Sequence, residues 1–418
     1  MIVFTIILIL LAILGAPLFA IIATSAMLGF SSIDEPLMNV AIELMRMVDL
    51  QFLSAIPLFT FAGYLLSESN APQRLVRMTQ AVLGWMPGGL ALVCLVVCAF
   101  FTAFTGASGV TIIALGAILY PALQQDGYND KFNLGLVTTS GSLGLLFAPS
   151  LPLILYGVVA EVSIDDLFKA GLIPGFLMIG MLSAWCIWVS RKNTRELRKF
   201  SWSELVSAVR ESIWEIPLPF VVLGSVYSGF LAVSEAAAIT VVYVFIVEVL
   251  ILREIKFRDL PRVVRESMLL VGGILIILGL SLASTSYTIL AGVPATLFEY
   301  LSEFVSSQTT FLILLLLFLL LLGAILDIFS AIVLVVPLLL PVAALYDVNT
   351  IHLGIVFLAA MQLGYMTPPV GLNLFIASYR FEKPIMQVYS ATLPFLLILM
   401  LSVILITFWP SLSLWLLR

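Results

Sequence analysis

The chain has 418 residues, of which 62% are hydrophobic and 10% are charged, against about 25% charged residues in soluble proteins. This composition is typical of a polytopic all-α membrane protein, and a net charge of −5 without a basic stripe excludes a nucleic-acid-binding protein. His352 is the only histidine, and the three cysteines lie in apolar runs, which excludes a His-based catalytic or transition-metal site.

The first 30 residues form one apolar stretch that lacks a basic start and a clear cleavage site. This pattern predicts a membrane segment that is retained in the protein, and not a signal peptide. We interpret residues 1–50 as N-terminal scaffold helices.

Residues 89–123 carry no charge and would be about 50 Å long as one helix, beyond the ~30 Å core of a bilayer. Their middle, TAFTGASGVT, is rich in glycine, serine and threonine. We predict a re-entrant helical hairpin with its tip near 105–109. Small residues that allow close helix packing are the alternative interpretation of this stretch.

The next interruption is APSLP at 148–152, whose prolines remove backbone donors and free carbonyl groups. It predicts a broken transmembrane helix at 140–157. A pair of kinks that neighbouring helices satisfy is the alternative. We assign the hairpin and this broken helix to a first repeat, residues 51–190.

Two basic clusters follow, at 191–199 and 253–265, and the positive-inside rule places both in the cytoplasm. The apolar run between them, about 213–252, should cross the membrane twice, with a turn near 230–236. Glu235 at this turn is interpreted as a helix cap or a loop charge. We assign residues 191–265 to cytoplasmic arms and scaffold helices.

The last part of the chain repeats the pattern of the first repeat. Residues 309–345 contain GAILDIFS and predict a second hairpin with its tip near 325–330. The sequence GYMTPPVGLNLF then predicts a second broken helix at 361–378. Both belong to a second repeat, residues 266–418.

An ordered series of matches supports a duplication. LGLV at 134–137 corresponds to LGIV at 353–356, and Gly144 and Pro149 correspond to Gly364 and Pro369 at an offset of about 220 residues. Duplicated halves with broken helices are the sequence signature of secondary transporters, whose substrate site lies where the breaks converge.

Asp327 is the only charged residue between Glu303 and Asp347. A carboxylate at that depth costs about 2.5–3.5 kcal/mol on insertion scales unless it is compensated. A bound cation or a proton would compensate it. Alternatively, the carboxylate caps the helix that follows, and the two interpretations are compatible.

Several stretches resemble the large membrane subunit of the TRAP (tripartite ATP-independent periplasmic) transporters, over nearly the whole chain. The most specific is GYMTPPVGLNLF (364–375); the others are AIPLFTFAG (55–63), FTGASGVTIIALGAILYP (104–121), SGSLGLLFAPSLPLILYG (140–157), SEAAAIT (234–240) and REIKFRDLPRVV (253–264).

The resemblance implies an elevator transporter with two inverted repeats in the bacterial inner membrane. Such subunits are driven by the Na⁺ gradient and use no organic cofactor. They receive an organic acid anion, such as a C4-dicarboxylate or sialic acid, from a periplasmic substrate-binding protein. A small four-helix membrane subunit works beside them, and we expect it to be a separate polypeptide here.

On these grounds we expect about two Na⁺ ions, one at each hairpin tip and its neighbouring break. The predicted sodium ligands are Thr105, Gly106, Ala107, Ser108 and Gly144 in the first repeat, and Asp327, Ser330, Gly364, Met366, Thr367 and Pro368 in the second. The predicted substrate contacts are Ser108, Ser150, Thr367 and Asn373.

Three other functions remain open at this point. A stand-alone Na⁺-coupled dicarboxylate or organic anion carrier would need no binding protein. An intramembrane enzyme would need a nucleophile–base pair or a metal cluster, which one histidine and one isolated aspartate do not supply. A channel would show flux faster than the turnover of a carrier.

Overall fold

A computed structural model describes residues 7–417, apart from 9, 12–13, 15, 51–52, 192–199, 229, 294–295, 297–304 and 306. The start of the N-terminal stretch and nearly all of the first basic cluster therefore lie outside the described residues. The described chain is helical, and no strand occurs in it. Within these described ranges, seven helices are long and apolar enough to cross a membrane, or eight with one bent pair counted as a span.

The helices are numbered in chain order. Those of the first half are α1 (Leu18–Ser32), α2 (Met38–Val48), α3 (Ala55–Glu68), α4 (Ala71–Leu83), α5 (Gly89–Thr105), α6 (Ser108–Gln125), α7 (Asp130–Ser140), α8 (Leu151–Val159) and α9 (Ile164–Ser190). Those of the second half are α10 (Trp202–Glu211), α11 (Pro217–Tyr227), α12 (Val233–Phe245), α13 (Leu260–Leu290), α14 (Gln308–Ile325), α15 (Ile328–Leu345), α16 (Thr350–Gly364), α17 (Leu372–Arg380), α18 (Ile385–Phe408) and α19 (Ser411–Leu414).

The helices α1, α2, α3, α12 and α13 pack together as one frame, in which α13 contacts α1, α2 and α3. Of the two crossings predicted between residues 213 and 252, α12 with the turn that follows it (Val233–Ile251) is long enough to cross a membrane, whereas α11, with 11 residues, is shorter than a span. Glu235 lies in the first turn of α12, where its Oε2 accepts a hydrogen bond of 2.9 Å from the Ala232 N–H. The prediction that Glu235 caps a helix is therefore confirmed.

Two series of helices, α5–α9 and α14–α18, have the same order and nearly the same lengths. Each series begins with a two-helix hairpin, continues with an interrupted helix and ends with a long helix. The paired helices begin at 89 and 308, 108 and 328, 130 and 350, 151 and 372, and 164 and 385, so they differ by 219 to 221 residues. The offset read from the sequence therefore reappears in the positions of the helices.

The hairpin tips and the interruptions form where glycine and proline dictate them. Hairpin 1 (α5 and α6) turns at Gly106, whose φ of +65° is in the left-handed region that glycine tolerates. Break 1 (141–150) contains a 3₁₀ turn and bends the chain by 43° before α8. Break 2 (365–371) ends at Gly371, with φ +63°. Residues 361–378 are thus not one continuous helix, as predicted.

The two series interlock. The second arm of hairpin 1, α6, packs against α17, and the second arm of hairpin 2 (α14 and α15) packs against α8. The Tyr156 hydroxyl donates a hydrogen bond of 2.7 Å to the Thr350 carbonyl, and Lys383 Nζ lies 2.9 Å from Asp130 Oδ2. The second arm of each hairpin therefore lies beside the second part of the interrupted helix of the other series.

Candidate functional site

Hairpin 1 is fixed to the break of its own series. Thr102 Oγ1 donates a hydrogen bond of 2.9 Å to the Gly141 carbonyl and lies 2.7 Å from Thr111 Oγ1. Gly144 lies directly on α5, and a Cβ at this position would be 2.5 Å from the Ala103 nitrogen. Only glycine permits this approach, which explains why Gly144 stands in the middle of the break.

At the tip of hairpin 1, Ala107 occupies the N-cap position of α6 and supplies no side-chain acceptor. The N–H groups at the start of α6 therefore keep their positive partial charge for an anion. Thr105 precedes the tip, and its Oγ1 is buried without a hydrogen-bond partner among the described residues. The tip thus offers both a helix N-terminus and an unpaired hydroxyl.

Hairpin 2 has the opposite arrangement at its tip. Asp327 caps α15, and its Oδ1 accepts hydrogen bonds of 3.0 Å from the N–H groups of Phe329 and Ser330. The Ser330 hydroxyl donates to Oδ2 at 2.5 Å. The capping interpretation of Asp327 is confirmed by these contacts. Because the carboxylate remains exposed, it can still meet a cation.

A cleft of about 250 Å³ opens at Asp327. One wall of the cleft comes from α13 and is apolar, with Leu270 and Ile274. The opposite wall comes from α15, with Phe329, Ser330 and Val333. Within the described residues, no lysine or arginine pairs with Asp327 in this cleft. A small cation that enters the cleft would thus find one uncompensated carboxylate.

Break 2 is fixed to hairpin 2 by backbone contacts. Gly364 lies against Gly323, and a Cβ on Gly364 would be 2.6 Å from the Gly323 carbonyl carbon. The Gly371 N–H donates a hydrogen bond of 3.0 Å to the Ala324 carbonyl. The Tyr365 hydroxyl accepts one of 2.6 Å from the Ile328 N–H, at the tip itself.

The two series meet at the tip of hairpin 1. The Ser108 hydroxyl donates a hydrogen bond of 2.7 Å to Asn373 Oδ1, at the start of α17. A Cβ on Gly106 would contact Leu151, so Ser150 lies beside the same tip. Three side-chain atoms around this junction are buried without a partner among the described residues: Thr105 Oγ1, Ser150 Oγ and Asn373 Nδ2.

The structure places the predicted site residues in two groups, one around the tip of hairpin 1 and one around the tip of hairpin 2. Ser108 and Asn373 are in direct contact, whereas the Thr367 hydroxyl, in break 2, donates to the Leu363 carbonyl at the end of α16 at 3.1 Å. Met366 is buried and Pro368 is exposed. Which of these groups bind an ion or a substrate stays a prediction.

Two residues at this site were missed by the sequence analysis. Tyr365 lies inside the quoted motif, but only its position next to the tip of hairpin 2 shows that its hydroxyl completes the helix N-terminus. Gly323 matters because it meets Gly364, and this contact joins residues 41 positions apart in two different helices. Tyr365 could have been identified from the sequence, because it is a polar aromatic residue next to a predicted helix break.

Replacement of Tyr365 by phenylalanine should lower the stability of the purified protein by about 1–3 kcal/mol, because the buried Ile328 N–H loses its acceptor. Thermal unfolding in detergent measures the change. Tyr389→Phe is the matched control, since its hydroxyl donates to the Pro369 carbonyl in an exposed position. Equal melting temperatures for wild type and Tyr365→Phe would contradict this role of the hydroxyl.

The family described as "Tripartite ATP-independent periplasmic transporter, DctM component" matches residues 2–412 of the chain. Among curated proteins, the chain is 31% identical over 401 residues to the C4-dicarboxylate TRAP transporter large permease protein DctM of Rhodobacter capsulatus. This alignment covers 92% of the chain and 91% of the relative.

Two further relatives differ in the ligand that their names give. The chain is 28% identical to the ectoine TRAP transporter large permease protein TeaC of Halomonas elongata, with 97% of the chain and 96% of the relative covered. It is 32% identical to the isethionate TRAP transporter permease protein DctMQ of Oleidesulfovibrio alaskensis, with 84% of the chain and 56% of that relative covered.

Among solved structures, the fold is similar to that of the YdaH transporter of Alcanivorax borkumensis, at a TM-score of 0.54 and 14% sequence identity. The similarity covers 89% of the chain and 87% of that structure. It concerns the fold alone.

Proposed function

The chain belongs to the DctM component family of tripartite ATP-independent periplasmic transporters, and on this premise we propose that it imports an organic acid anion together with Na⁺. Its relatives are transport permeases and not enzymes, and it is a multi-pass protein of the bacterial inner membrane. The predicted resemblance to the large TRAP subunit is confirmed.

The observation that carries the proposal is the charge of the site. The four segments that build it, 89–125, 133–160, 308–345 and 350–379, contain one formal charge, Asp327, and no lysine or arginine. An anion bound there finds only helix N-termini and polar side chains of this chain. A co-transported cation would therefore compensate the negative charge of the anion.

We assign two Na⁺ ions, one beside each hairpin tip. Thr105 and Gly144 lie at the first position, and Asp327, Ser330 and Gly364 lie at the second. Hydroxyls, carboxylates and freed carbonyls are oxygen ligands, which suit Na⁺. The anion is proposed to bind between the tips, next to Ser108, Ser150, Thr367 and Asn373, where the uncapped start of α6 points.

Unequal packing of the two series supports an elevator movement. The frame helix α3 packs against α5 and α8 of the first series, whereas α13 packs against α15 of the second. The helix α8 is buried nearly throughout, but Phe375 and Tyr379 of its counterpart α17 are 49% and 90% exposed. The two series are equivalent but pack differently on one frame. This is the arrangement expected if the two series form the moving domain of an elevator and that domain is at one end of its movement.

The partners follow from the family. A periplasmic substrate-binding protein would deliver the anion, and a small four-helix membrane subunit would stand beside the frame. A relative in which the large and small parts are fused supports the second partner. C4-dicarboxylates, ectoine and isethionate are the ligands in the names of relatives, and a C4-dicarboxylate is our first choice.

The test is uptake into proteoliposomes that contain the chain with its small subunit, with the binding protein added outside. We expect accumulation of a labelled C4-dicarboxylate that requires an inward Na⁺ gradient and the binding protein. Uptake by the chain alone would instead support a stand-alone carrier. Flux that does not saturate with substrate would contradict a carrier altogether.

A further inference from the structure

A buried ionic cluster lies apart from the site, where α4 meets the loop before α11 and the end of α12. Arg74 is 7% exposed, and its Nε and Nη2 lie 2.6 and 2.5 Å from Glu215 Oε1. Its Nη2 also lies 3.2 Å from Glu248 Oε1, and its Nη1 contacts Glu254. One cation thus faces three carboxylates.

The three carboxylates differ in their surroundings. Glu254 lies at the rim, where the Asn70 N–H also donates to it at 2.7 Å. Glu215 and Glu248 are only 2% and 1% exposed. Glu215 Oε2 is buried and has no hydrogen-bond partner among the described residues. An ionised carboxylate that leaves one oxygen unpaired in such surroundings is strongly disfavoured.

The local backbone brings Glu248 to this position. It lies in a π-helical turn, Ile246–Ile251, which extends α12 by one widened turn. Such turns are rare and occur frequently at functional sites. The Ser212 hydroxyl donates to the Arg74 carbonyl at 3.1 Å and fixes α4 from the other side. The cluster therefore joins α4 to the frame helix α12, and α4 in turn packs on hairpin 1.

We propose that Glu215 and Glu248 share one bound proton at neutral pH, and that its release loosens the attachment of α4 to the frame. Arg74 neutralises one of the two buried carboxylates, and Glu254 stays ionised at the rim, so the second buried carboxylate has no cation left. Because both carboxylates contact the same guanidinium group, their titrations are coupled, and the proton belongs to the pair and not to either residue.

Other charged groups around the pair do not supply the missing cation. Arg77, the other arginine of α4, is bound to Glu204 and Glu211 of α10. The Tyr243 hydroxyl of α12 is directed to the Trp214 carbonyl at 2.8 Å. Burial also raises the pKa of Glu215 above its usual value. Glu68 of α3 contacts Arg262, at the start of α13.

A cavity reaches Arg74 and Glu254, at the rim of the cluster. It has a volume of about 450 Å³ and is lined by Asn70, Gln73, Arg74, Arg77, Glu211 and Glu254. The basic cluster at 253–265 begins at this rim, so the sequence places the cavity on the cytoplasmic side. The proton would enter by way of Glu254 and bind to a carboxylate oxygen of Glu215 or Glu248.

Infrared difference spectroscopy of the full chain in lipid tests the proposal directly. Wild type at pH 7 should show the carbonyl stretch of a protonated carboxylic acid, and this band should disappear at high pH. Glu215→Gln and Glu248→Gln should each remove the band, because the remaining carboxylate then pairs with Arg74. Glu204→Gln, on an exposed pair, is the control and should leave the band unchanged.

Thermal unfolding against pH gives an independent readout. A carboxylate that binds its proton more tightly in the folded state loses stability as pH rises through its folded-state pKa. The wild-type melting temperature should therefore fall by about 5 °C between pH 6 and pH 9, whereas Glu248→Gln should remove most of the fall. A wild type without the acid band, or a Glu204→Gln variant without it, would overturn the proposal.

Discussion

Asp327→Asn should lose most Na⁺-dependent uptake and still fold. Asparagine is as good an N-cap as aspartate, so its side-chain oxygen can keep the hydrogen bonds of 3.0 Å from the Phe329 and Ser330 N–H groups. What the variant removes is the one formal charge of the site. A loss of about 3 kcal/mol in ion binding raises the half-saturating Na⁺ concentration roughly a hundredfold.

The measurement is uptake at a series of Na⁺ concentrations, together with the melting temperature of each protein. Asp347→Asn, at the other end of α15, is the matched control and should behave as wild type. Normal uptake and normal Na⁺ dependence in Asp327→Asn would remove Asp327 from the sodium site. A large fall in melting temperature would show that the capping role dominates.

Among glycine-to-alanine substitutions in the second series, Gly364→Ala should lower the stability of the protein most. Its Cβ would lie 2.6 Å from backbone atoms of Gly323, and helix backbone cannot move aside as the end of a side chain can. Overpacking of this kind costs about 3 kcal/mol, which for a chain of 418 residues corresponds to a fall of about 3–4 °C in melting temperature. Thermal unfolding in detergent, with fluorescence as readout, measures this effect.

Gly180→Ala is the control for the methyl group itself. Gly180 lies within α9, and a Cβ added there meets nothing within 4 Å. Alanine in a helix is more stable than glycine by roughly 0.5–1 kcal/mol, so this variant should melt at the same temperature as wild type or slightly above it. If Gly364→Ala melted like Gly180→Ala, hairpin 2 and break 2 would not be packed as described.

The sequence predicted the local features of the fold well, because each has a local cause. Pro368, Pro369 and Gly371 interrupt a helix in any surroundings, and the break at 365–371 lies where they stand. Glu235 caps the helix whose first turn contains it, as its position at the predicted turn suggested. The offset between the two series was also visible, because the corresponding helices begin 219 to 221 residues apart and have nearly the same lengths.

The sequence did not show which distant segments meet. Arg74 is not among the residues that the sequence analysis singled out, yet its three carboxylate partners are 141, 174 and 180 residues away. The contact of Ser108 with Asn373 spans 265 residues. Such pairs depend on the interlocking of two series, and a single sequence carries no periodic signal for a contact between helices that are not neighbours in the chain.

The isolated carboxylate of Asp327 also has an electrical consequence. When no ion or anion is bound, the body formed by the four site segments carries a single negative charge, because these segments contain no other charged residue. When one elementary charge crosses the whole membrane, its free energy changes by about 2.3 kcal/mol for each 100 mV of membrane potential. The inside of a bacterium is negative, so in the proposed elevator movement the potential would push the empty body back outward, whichever anion it had released.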